Sequence, residues 1–287
     1  MRPDVTEVDR QLLATWPLPE PDGSKLSRGD VLVIGGARRS PGGVLLAGLS
    51  ALRVGAGRLS VAVASSVAPT MGVAVPEGGV LALEETSDGH VRGRSVRAYA
   101  SDIRGADALL VGPGLDDIRE ARRMLSALSG MPGDQCTVVL DAYALGALSG
   151  RHPRHVFPNA VLKPNESEAA VLLGRELEDL VDDTAELAER YSAVVTCMGV
   201  IADPAGAVYQ VPQAGPGLGT SGSGDVLAGA IAGLAARGCP APQAAVWGTF
   251  LHASAGESLA HSVAPVGYLA RDISERLPFE LGAVTSQ

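Results

Sequence analysis

A glycine-rich segment that ends in one carboxylate carries the clearest chemical signal in this sequence. Residues 217–229 read GLGTSGSGDVLAG and run into an apolar, alanine-rich stretch with the character of a helix. Glycines let successive backbone N–H groups converge on one point, and the free N–H groups of a helix N-terminus attract an anion such as phosphate. We therefore expect this segment to form an anion hole at the start of the helix.

Asp225 stands directly beside this predicted anion hole. A carboxylate there is poorly placed to bind phosphate, but it is well placed to take a proton from a hydroxyl that attacks phosphorus. We predict that Asp225 is a catalytic base. The alternative is that Asp225 only caps the helix, a task that a single Ser, Asp or Gly performs.

Other polar residues permit both a chemical and a structural interpretation. Asp141 ends an apolar run, so it either contacts phosphate or substrate or caps a helix, and we slightly favour the cap. Asn165 and Glu168 have the spacing of a capping box. His252 and Trp247 have apolar neighbours on a predicted helix, so core packing is the favoured interpretation for both.

The residues around these positions predict strands that alternate with helices. Short apolar runs closed by glycine, proline or aspartate are typical of buried parallel strands, and they occur at 31–34, 59–64, 108–111, 137–140, 160–162 and 194–196. Helical patterns occur at 44–57, 116–128, 165–173, 226–237, 242–261 and roughly 266–276. Two further runs, 200–202 and 207–211, flank a turn and predict a hairpin.

This alternation predicts one α/β domain over residues 29–287, with a mostly parallel central sheet covered by helices on both faces. The hairpin would add an antiparallel edge. Residues 1–28 are polar and punctuated by proline, and we expect them to lie over the surface as an N-terminal segment. Ligands of such sheets bind at the carboxyl ends of the strands, where the glycine, aspartate and Lys163 loops of this sequence are expected.

Composition narrows the function classes. The 287 residues include 32 acidic and 23 basic side chains, a net charge of −9, which argues against nucleic acid and anionic membranes as partners. Three widely spaced cysteines predict reduced thiols, and the polar first residues do not have the pattern of a signal peptide. We expect a cytoplasmic enzyme of small molecules that forms a homo-oligomer.

The order and spacing of the motifs resemble the ADP/ATP-dependent NAD(P)H-hydrate dehydratases, a branch of the ribokinase-like superfamily. The blocks that carry the resemblance are IGG, PGGVLLAGLSALRVGAGRLSVA, VGPGL, VLDAYAL, GPGLGTSGSGDVLAGAIAGL and LHASAGESLA. The resemblance covers residues 25–278 and implies a three-layer α/β/α ribokinase-like fold. It also implies repair of hydrated NADH or NADPH: a nucleotide phosphorylates the ring hydroxyl, and phosphate then leaves to restore the reduced cofactor.

The resemblance assigns roles to individual residues. Asp225 is the base and a substrate contact. Gly222, Ser223 and Gly224 line the anion hole, and Gly224 contacts the nucleotide. Gly43, where the family usually has Ala, and Gly114 of the GPG loop match substrate-contacting positions. The expected cofactors are ADP or ATP with Mg²⁺.

Two loops depart from the family pattern. Asn165 replaces a substrate-contacting His, and the resulting Asn-x-x-Glu pattern resembles the motif that organises magnesium in many ribokinase-like kinases, so Glu168 is a candidate magnesium contact through water. The nucleotide loop, with Cys197, Met198 and Gly199, lacks the family's lysine. The first departure favours a small-molecule kinase as an alternative function, and the second favours a non-catalytic nucleotide-binding homologue.

Overall fold

A ten-stranded sheet runs through the protein, whose computed structural model describes residues 3–20, 23–149 and 157–285. The strands are β1 (Val5–Glu7), β2 (Asp30–Ile34), β3 (Arg58–Ala64), β4 (Gly78–Leu83), β5 (Ala108–Val111), β6 (Thr137–Leu140), β7 (Ala160–Leu162), β8 (Val194–Cys197), β9 (Val200–Ala202) and β10 (Val208–Gln210). Their order across the sheet is β1-β10-β9-β8-β7-β6-β5-β2-β3-β4. Neighbouring strands are parallel except that β9 runs antiparallel to both β8 and β10.

Helices cover both faces of this sheet. The helices are α1 (Arg10–Thr15), α2 (Gly42–Arg53), α3 (Ala68–Ala74), α4 (Ala100–Gly105), α5 (Ile118–Leu128), α6 (Tyr143–Leu148), α7 (Glu166–Leu173), α8 (Leu180–Tyr191), α9 (Ser223–Ala236), α10 (Ala241–Ser262) and α11 (Ala270–Thr285). Short 3₁₀ helices occupy Gly93–Tyr99 and Pro216–Gly219. Among the helices of the described residues, none has the length and apolar character that a membrane span needs.

The central strands β5, β6, β7 and β8 are buried along their whole length and are largely apolar, because helices cover both faces of the sheet there. In β2, Val31 and Val33 join the core under α2, α9 and α10, whereas Leu32 and Ile34 join the core under α5, α6 and α7. The predicted three-layer α/β/α architecture is confirmed, and the six predicted parallel strands match the observed ones to within a residue or so.

The N-terminal segment is more deeply built into the fold than its composition suggests. Strand β1 pairs with β10 and forms the outer edge of the sheet, and Leu13 of α1 is fully buried. Gln243 Nε2 and Trp247 Nε1 each donate to the carbonyl of Trp16 at 3.0 Å. These apolar and polar contacts hold residues that a proline-rich sequence led us to place on the surface.

The predicted final helix also shifts: α11 begins at Ala270 rather than near residue 266 and continues to Thr285. The stretch 65–107, for which the sequence pattern predicted no elements, contributes β4, α3 and α4.

Two glycines of α9 let it approach α2 closely. A Cβ on Gly229 would lie 2.1 Å from the carbonyl oxygen of Ala47, and one on Gly233 would lie 2.5 Å from that of Ala51. Any side chain at these positions would force the two helices apart. This contact fixes the N-terminus of α9 against the N-terminus of α2 at the carboxyl edge of the sheet.

Candidate functional site

The special loops of the sequence converge at the carboxyl edge of the sheet. Parallel strands β2, β5, β6, β7 and β8 end there, and the residues that follow or close them are Gly35, Gly112, Asp141, Lys163 and Cys197. The N-terminus of α9 approaches the same edge, because a Cβ on its second residue, Gly224, would lie 2.9 Å from Nζ of Lys163. The site is therefore assembled from loops that are far apart in the sequence.

Helix α9 begins as an anion-binding helix would. Gly222 is the N-cap residue with φ = 89°, a left-handed conformation that favours glycine. No acceptor within the described residues takes the backbone N–H groups of Gly224 and Asp225. These donors, together with the helix dipole, favour negative charge at this point.

Asp225 occupies the third position of α9, so the interpretation of Asp225 as the N-cap is wrong. Burial raises the pKa of its carboxyl to about 6, with a further increase from the charge of Asp141 and a decrease from Lys163. A pKa of about 6 leaves the carboxylate ionised at neutral pH and basic enough to accept a proton.

Two predicted substrate contacts lie beside this carboxylate. A Cβ on Gly43 would lie 3.0 Å from Oδ1 of Asp225 and 3.1 Å from the backbone nitrogen of Gly114. Gly114 itself has φ = 67°, and a Cβ there would overlap the carbonyl oxygen of Ser40. The structure thus brings Gly43, Gly114 and Asp225 together, as their shared assignment to the substrate side requires.

A buried ion pair that the sequence analysis missed lies next to Asp225. Nζ of Lys163 is 3.1 Å from Oδ1 of Asp141, and both side chains are almost inaccessible to solvent. Burial alone would lower the pKa of Lys163, but the carboxylates of Asp141, Glu168 and Asp225 outweigh that effect and raise it. The lysine was visible in the sequence only as the residue after a strand, with no signal for where its side chain would reach.

Asn165 and Glu168 form a capping box at the start of α7. Oδ1 of Asn165 accepts from the backbone nitrogen of Glu168, and Oε2 of Glu168 accepts from the backbone nitrogen of Asn165, each at 2.9 Å. The structural interpretation of this pair is confirmed. Because Asn165 uses its carbonyl oxygen as a cap, its amide NH₂ is the group left for a substrate.

Cys197, Met198 and Gly199 form a tight hairpin turn between β8 and β9. Met198 and Gly199 have φ values of 48° and 89°, as a two-residue turn of this kind requires. Cys197 is 1% exposed, and burial raises the pKa of its thiol to about 12. The side chain of Cys197 is therefore part of the core, whereas that of Met198 is 51% exposed. Nucleotide binding by the loop of Cys197, Met198 and Gly199 stays a prediction.

His252 contacts the first residue of α9 on the buried side of the predicted anion site. Its Nε2 lies 2.9 Å from Oγ and 3.0 Å from the carbonyl oxygen of Ser223, the first residue of α9. Burial lowers the pKa of His252 to about 4, and the charge of Lys163 contributes to the decrease. His252 is thus a neutral core residue, as predicted, with the added task of holding the helix N-terminus in place.

The described residues contain no group of three or more His, Cys, Asp or Glu side chains arranged to hold a metal ion by themselves. Magnesium in nucleotide sites keeps several waters and takes only one or two carboxylates besides phosphate oxygens. Burial raises the pKa of Glu168, and the charge of Asp141 adds to the increase. The water-mediated magnesium contact of Glu168 stays a prediction.

Taken together, the site has free backbone donors for an anion, a carboxylate with a raised pKa and a buried ammonium. This combination can hold a phosphoryl group and deprotonate a hydroxyl that attacks it.

Comparison with known proteins places this chain in a family. A sequence model described as NAD(P)H-hydrate dehydratase matches residues 31–279. The ADP-dependent (S)-NAD(P)H-hydrate dehydratase of Xanthomonas campestris pv. campestris is 44% identical over 285 residues, which is 96% of each chain. The bifunctional NAD(P)H-hydrate repair enzyme of Moorella thermoacetica is 34% identical, but the chain spans only 54% of its length.

A solved structure has the same architecture. The ADP/ATP-dependent NAD(P)H-hydrate dehydratase of Bacillus subtilis, co-crystallised with ATP and Mg²⁺, superposes with a TM-score of 0.81 at 26% identity and covers 98% of this chain and 99% of its own.

Proposed function

The chain belongs to the NAD(P)H-hydrate dehydratase family, and on that basis we propose that it restores hydrated NADH or NADPH to the reduced cofactor with ADP or ATP as phosphoryl donor. The observation that carries this proposal is the placement of Asp225: a carboxylate with a pKa of about 6 beside free backbone donors of a helix N-terminus. A base and an anion hole in contact are what phosphorylation of a hydroxyl requires.

The reaction begins at the hydroxyl on C6 of the hydrated nicotinamide ring. Asp225 takes the hydroxyl proton while the oxygen attacks the terminal phosphorus of the nucleotide. The new O–P bond forms as the bond from phosphorus to the departing nucleotide breaks. Hydroxide is thereby converted into phosphate, a much better leaving group.

Elimination completes the reaction. The lone pair of the ring nitrogen expels phosphate, which takes the C6–O bonding electrons, and a proton leaves the neighbouring ring carbon to form the double bond. The net change is loss of water from the ring, with the nucleotide shortened by one phosphate.

Residues of three loops would bind the nucleotide and its metal. The backbone of Gly222, Ser223 and Gly224 would hold the phosphoryl group, and the hairpin turn at Met198 and Gly199 lies at the same edge of the sheet. Mg²⁺ supplies charge neutralisation on the phosphate oxygens when bound, and Glu168 would contact it through water.

Gly43, Gly114 and Asn165 would bind the hydrated ring. Gly43 and Gly114 leave space beside the Asp225 carboxylate, where the reacting hydroxyl must lie. The amide of Asn165 would donate to a polar group of the substrate, although it cannot titrate as the family's His can.

The alternative functions differ from the proposed one in what the site would do. The Asn-x-x-Glu pattern that favoured a kinase forms a capping box, and a magnesium contact of Glu168 would serve phosphoryl transfer in a dehydratase and in a kinase alike. The nucleotide loop lacks the lysine whose absence favoured a non-catalytic homologue, but the buried ammonium of Lys163 follows the neighbouring strand β7.

The direct test is turnover of hydrated NADH and NADPH with ADP or ATP, followed at the absorbance of the reduced nicotinamide. We expect absorbance to appear only when hydrated cofactor, Mg²⁺ and one of the two nucleotides are present. Accumulation of a phosphorylated cofactor without absorbance would indicate a kinase, and nucleotide binding without any turnover would indicate a binding protein.

The setting of the enzyme completes the proposal. Three buried free thiols, Cys136, Cys197 and Cys239, suit the reducing cytoplasm.

Exposed apolar side chains at Val263, Val266, Leu269 and Phe279 support association with a second copy. Light scattering of the purified chain tests the homo-oligomer, with a monomeric mass as the result against it.

A further inference from the structure

We propose that Lys163 is a catalytic residue that binds the transferring phosphoryl group, exchanging its contact with Asp141 for a phosphate oxygen. This inference rests on the proposed function, because it assigns a role within the same site. It begins from the position of the side chain. Lys163 ends the central strand β7, and its Nζ lies 2.9 Å from where a Cβ on Gly224 would be, over the open N-terminus of α9.

Gly224 is what makes this approach possible. Its backbone φ is not in the left-handed region, so conformation does not require glycine there. A side chain at this position would displace the Lys163 ammonium, because a Cβ would lie 2.9 Å from Nζ. The ammonium and the free N–H groups of Gly224 and Asp225 thus form one cluster of donors.

The negative charges around the site favour a cation at the position of the Lys163 ammonium. Asp141, Glu168 and Asp225 all act electrostatically on Lys163, so three carboxylates surround one ammonium. An incoming phosphate would face a net negative cluster, and without Lys163 the repulsion would be larger still. Within the described residues, Lys163 is the cationic side chain that acts on the Asp225 carboxyl.

The contact between Asp141 and the Lys163 ammonium can be exchanged for a contact with phosphate. Oδ1 of Asp141 accepts from both Nζ of Lys163 at 3.1 Å and the backbone nitrogen of Ala142 at 2.8 Å. Ala142 has φ = 50°, a conformation that L-residues rarely adopt and that is found where a site imposes it. The backbone N–H would continue to neutralise Asp141 when Lys163 turns towards phosphate.

The choice of lysine is itself informative. Of the 23 basic residues in this chain, just two are lysine, Lys25 and Lys163. A chain that uses arginine almost everywhere retains here the compact ammonium on a flexible stem, which fits a buried space where a guanidinium fork does not.

Calorimetric titration of Lys163→Met with ADP, ATP and AMP tests the assignment without any need for turnover. We expect binding of the nucleotide that donates phosphate to weaken about 10- to 100-fold, as loss of a charge-assisted hydrogen bond implies. AMP, which lacks the transferred phosphate, should bind as it does to the wild type. The salt dependence of the donor's affinity should also fall.

Lys25→Met is the matched control and should leave every affinity unchanged. Lys25 is exposed and packs against Gly57 at the amino end of β3, the edge of the sheet opposite the site. Asp141→Asn separates binding from structure. If Lys163 binds phosphate, freeing it should leave donor affinity equal to or higher than that of the wild type. If the pair is only structural, Asp141→Asn and Lys163→Met should weaken all three nucleotides alike, which would overturn the proposal.

A second measurement uses the wild-type protein, so the proposal can be tested even if Lys163→Met fails to fold. Wild-type protein with isotope-labelled lysine has two side-chain amine groups to observe by NMR, and the buried one belongs to Lys163. Its signal should shift when ADP or ATP is added and remain in place with AMP. If the signal of the buried amine does not shift although ADP or ATP is bound, only the proposed role of Lys163 is contradicted. If the wild-type protein binds neither nucleotide, the proposed function itself is contradicted.

Discussion

At the scale of single residues, the account depends on Asp225, whose carboxyl has a pKa of about 6 because it is buried beside Asp141. Replacement by Asn keeps the size of the side chain but removes the acceptor for the hydroxyl proton. We expect Asp225→Asn to lower turnover by on the order of 10²–10⁴, with nucleotide affinity retained. Steady-state rates and calorimetry on the two proteins measure this, and turnover near the wild-type level would contradict the base assignment.

The same raised pKa has a consequence for stability. The folded-state pKa of about 6 lies above the ordinary value of 3.8, so the folded protein binds the proton more tightly than the unfolded chain. The stabilising contribution is complete below 3.8 and is lost as the pH rises through about 6. Above that pH the ionised carboxylate costs up to about 3 kcal/mol.

We therefore expect Asp225→Asn to unfold at a higher temperature than the wild type above about pH 6, with a difference that shrinks towards acidic pH. Thermal unfolding across that range measures it. An Asn variant that is less stable than the wild type at alkaline pH would show that the charge of Asp225 stabilises the folded protein through a partner instead of destabilising it through burial.

Glu168 is the second residue whose role can be measured. Gln can accept from the backbone nitrogen of Asn165 as Glu does, so Glu168→Gln should leave stability almost unchanged. If Glu168 contacts magnesium through water, loss of its charge should raise the Mg²⁺ concentration for half-maximal rate. Glu166→Gln, an exposed neighbour in the same turn, is the control. Equal magnesium curves for all three proteins would leave Glu168 with capping alone.

At the scale of elements, the hairpin between β8 and β9 decides where a nucleotide-loop lysine can act. Cys197 faces the core, so Cys197→Lys should destabilise the fold by several kcal/mol, without tighter nucleotide binding. Met198→Lys should fold normally, because Met198 is exposed and lysine tolerates the turn no worse than methionine does. Its added ammonium should tighten ADP or ATP binding at low salt and lose that effect at high salt.

Unfolding curves and calorimetry on both hairpin variants test this pair of expectations. A gain in affinity for Cys197→Lys would mean that the hairpin rebuilds itself. No gain for Met198→Lys at low salt would place the nucleotide phosphates away from this turn.

The elements also show what the sequence can predict. The central strands were predictable because burial on both faces requires continuous apolar runs, as in Leu109 and Leu110 of β5. Strand β4 was missed because it is an edge strand that begins with two glycines and buries only Leu83 fully. The reach of Lys163 to Gly224 could not be predicted, because it depends on how β7 and α9 pack rather than on any local pattern.

At the scale of the whole molecule, the N-terminal segment is part of the fold that positions the site. Leu13 is fully buried in the core shared with α9 and α10. We expect Leu13→Ala to lower the free energy of unfolding by about 2–5 kcal/mol, as for other buried leucines. Ala14→Gly, at an exposed neighbouring position, should cost about 1 kcal/mol. Equal and small losses of unfolding free energy in the two variants, measured by denaturant unfolding, would mean that the N-terminal segment lies on the surface and adds little to the core.

The central claim is that the site activates the substrate hydroxyl by phosphorylation, and the fate of one oxygen atom tests it most directly. The measurement is turnover of a hydrated cofactor that carries a heavy oxygen isotope in its C6 hydroxyl, with the products analysed by mass spectrometry. If the hydroxyl attacks phosphorus and phosphate then leaves, the label must appear in inorganic phosphate. Label released into water would mean that the hydroxyl leaves directly and that the nucleotide is cleaved separately, which would contradict the account.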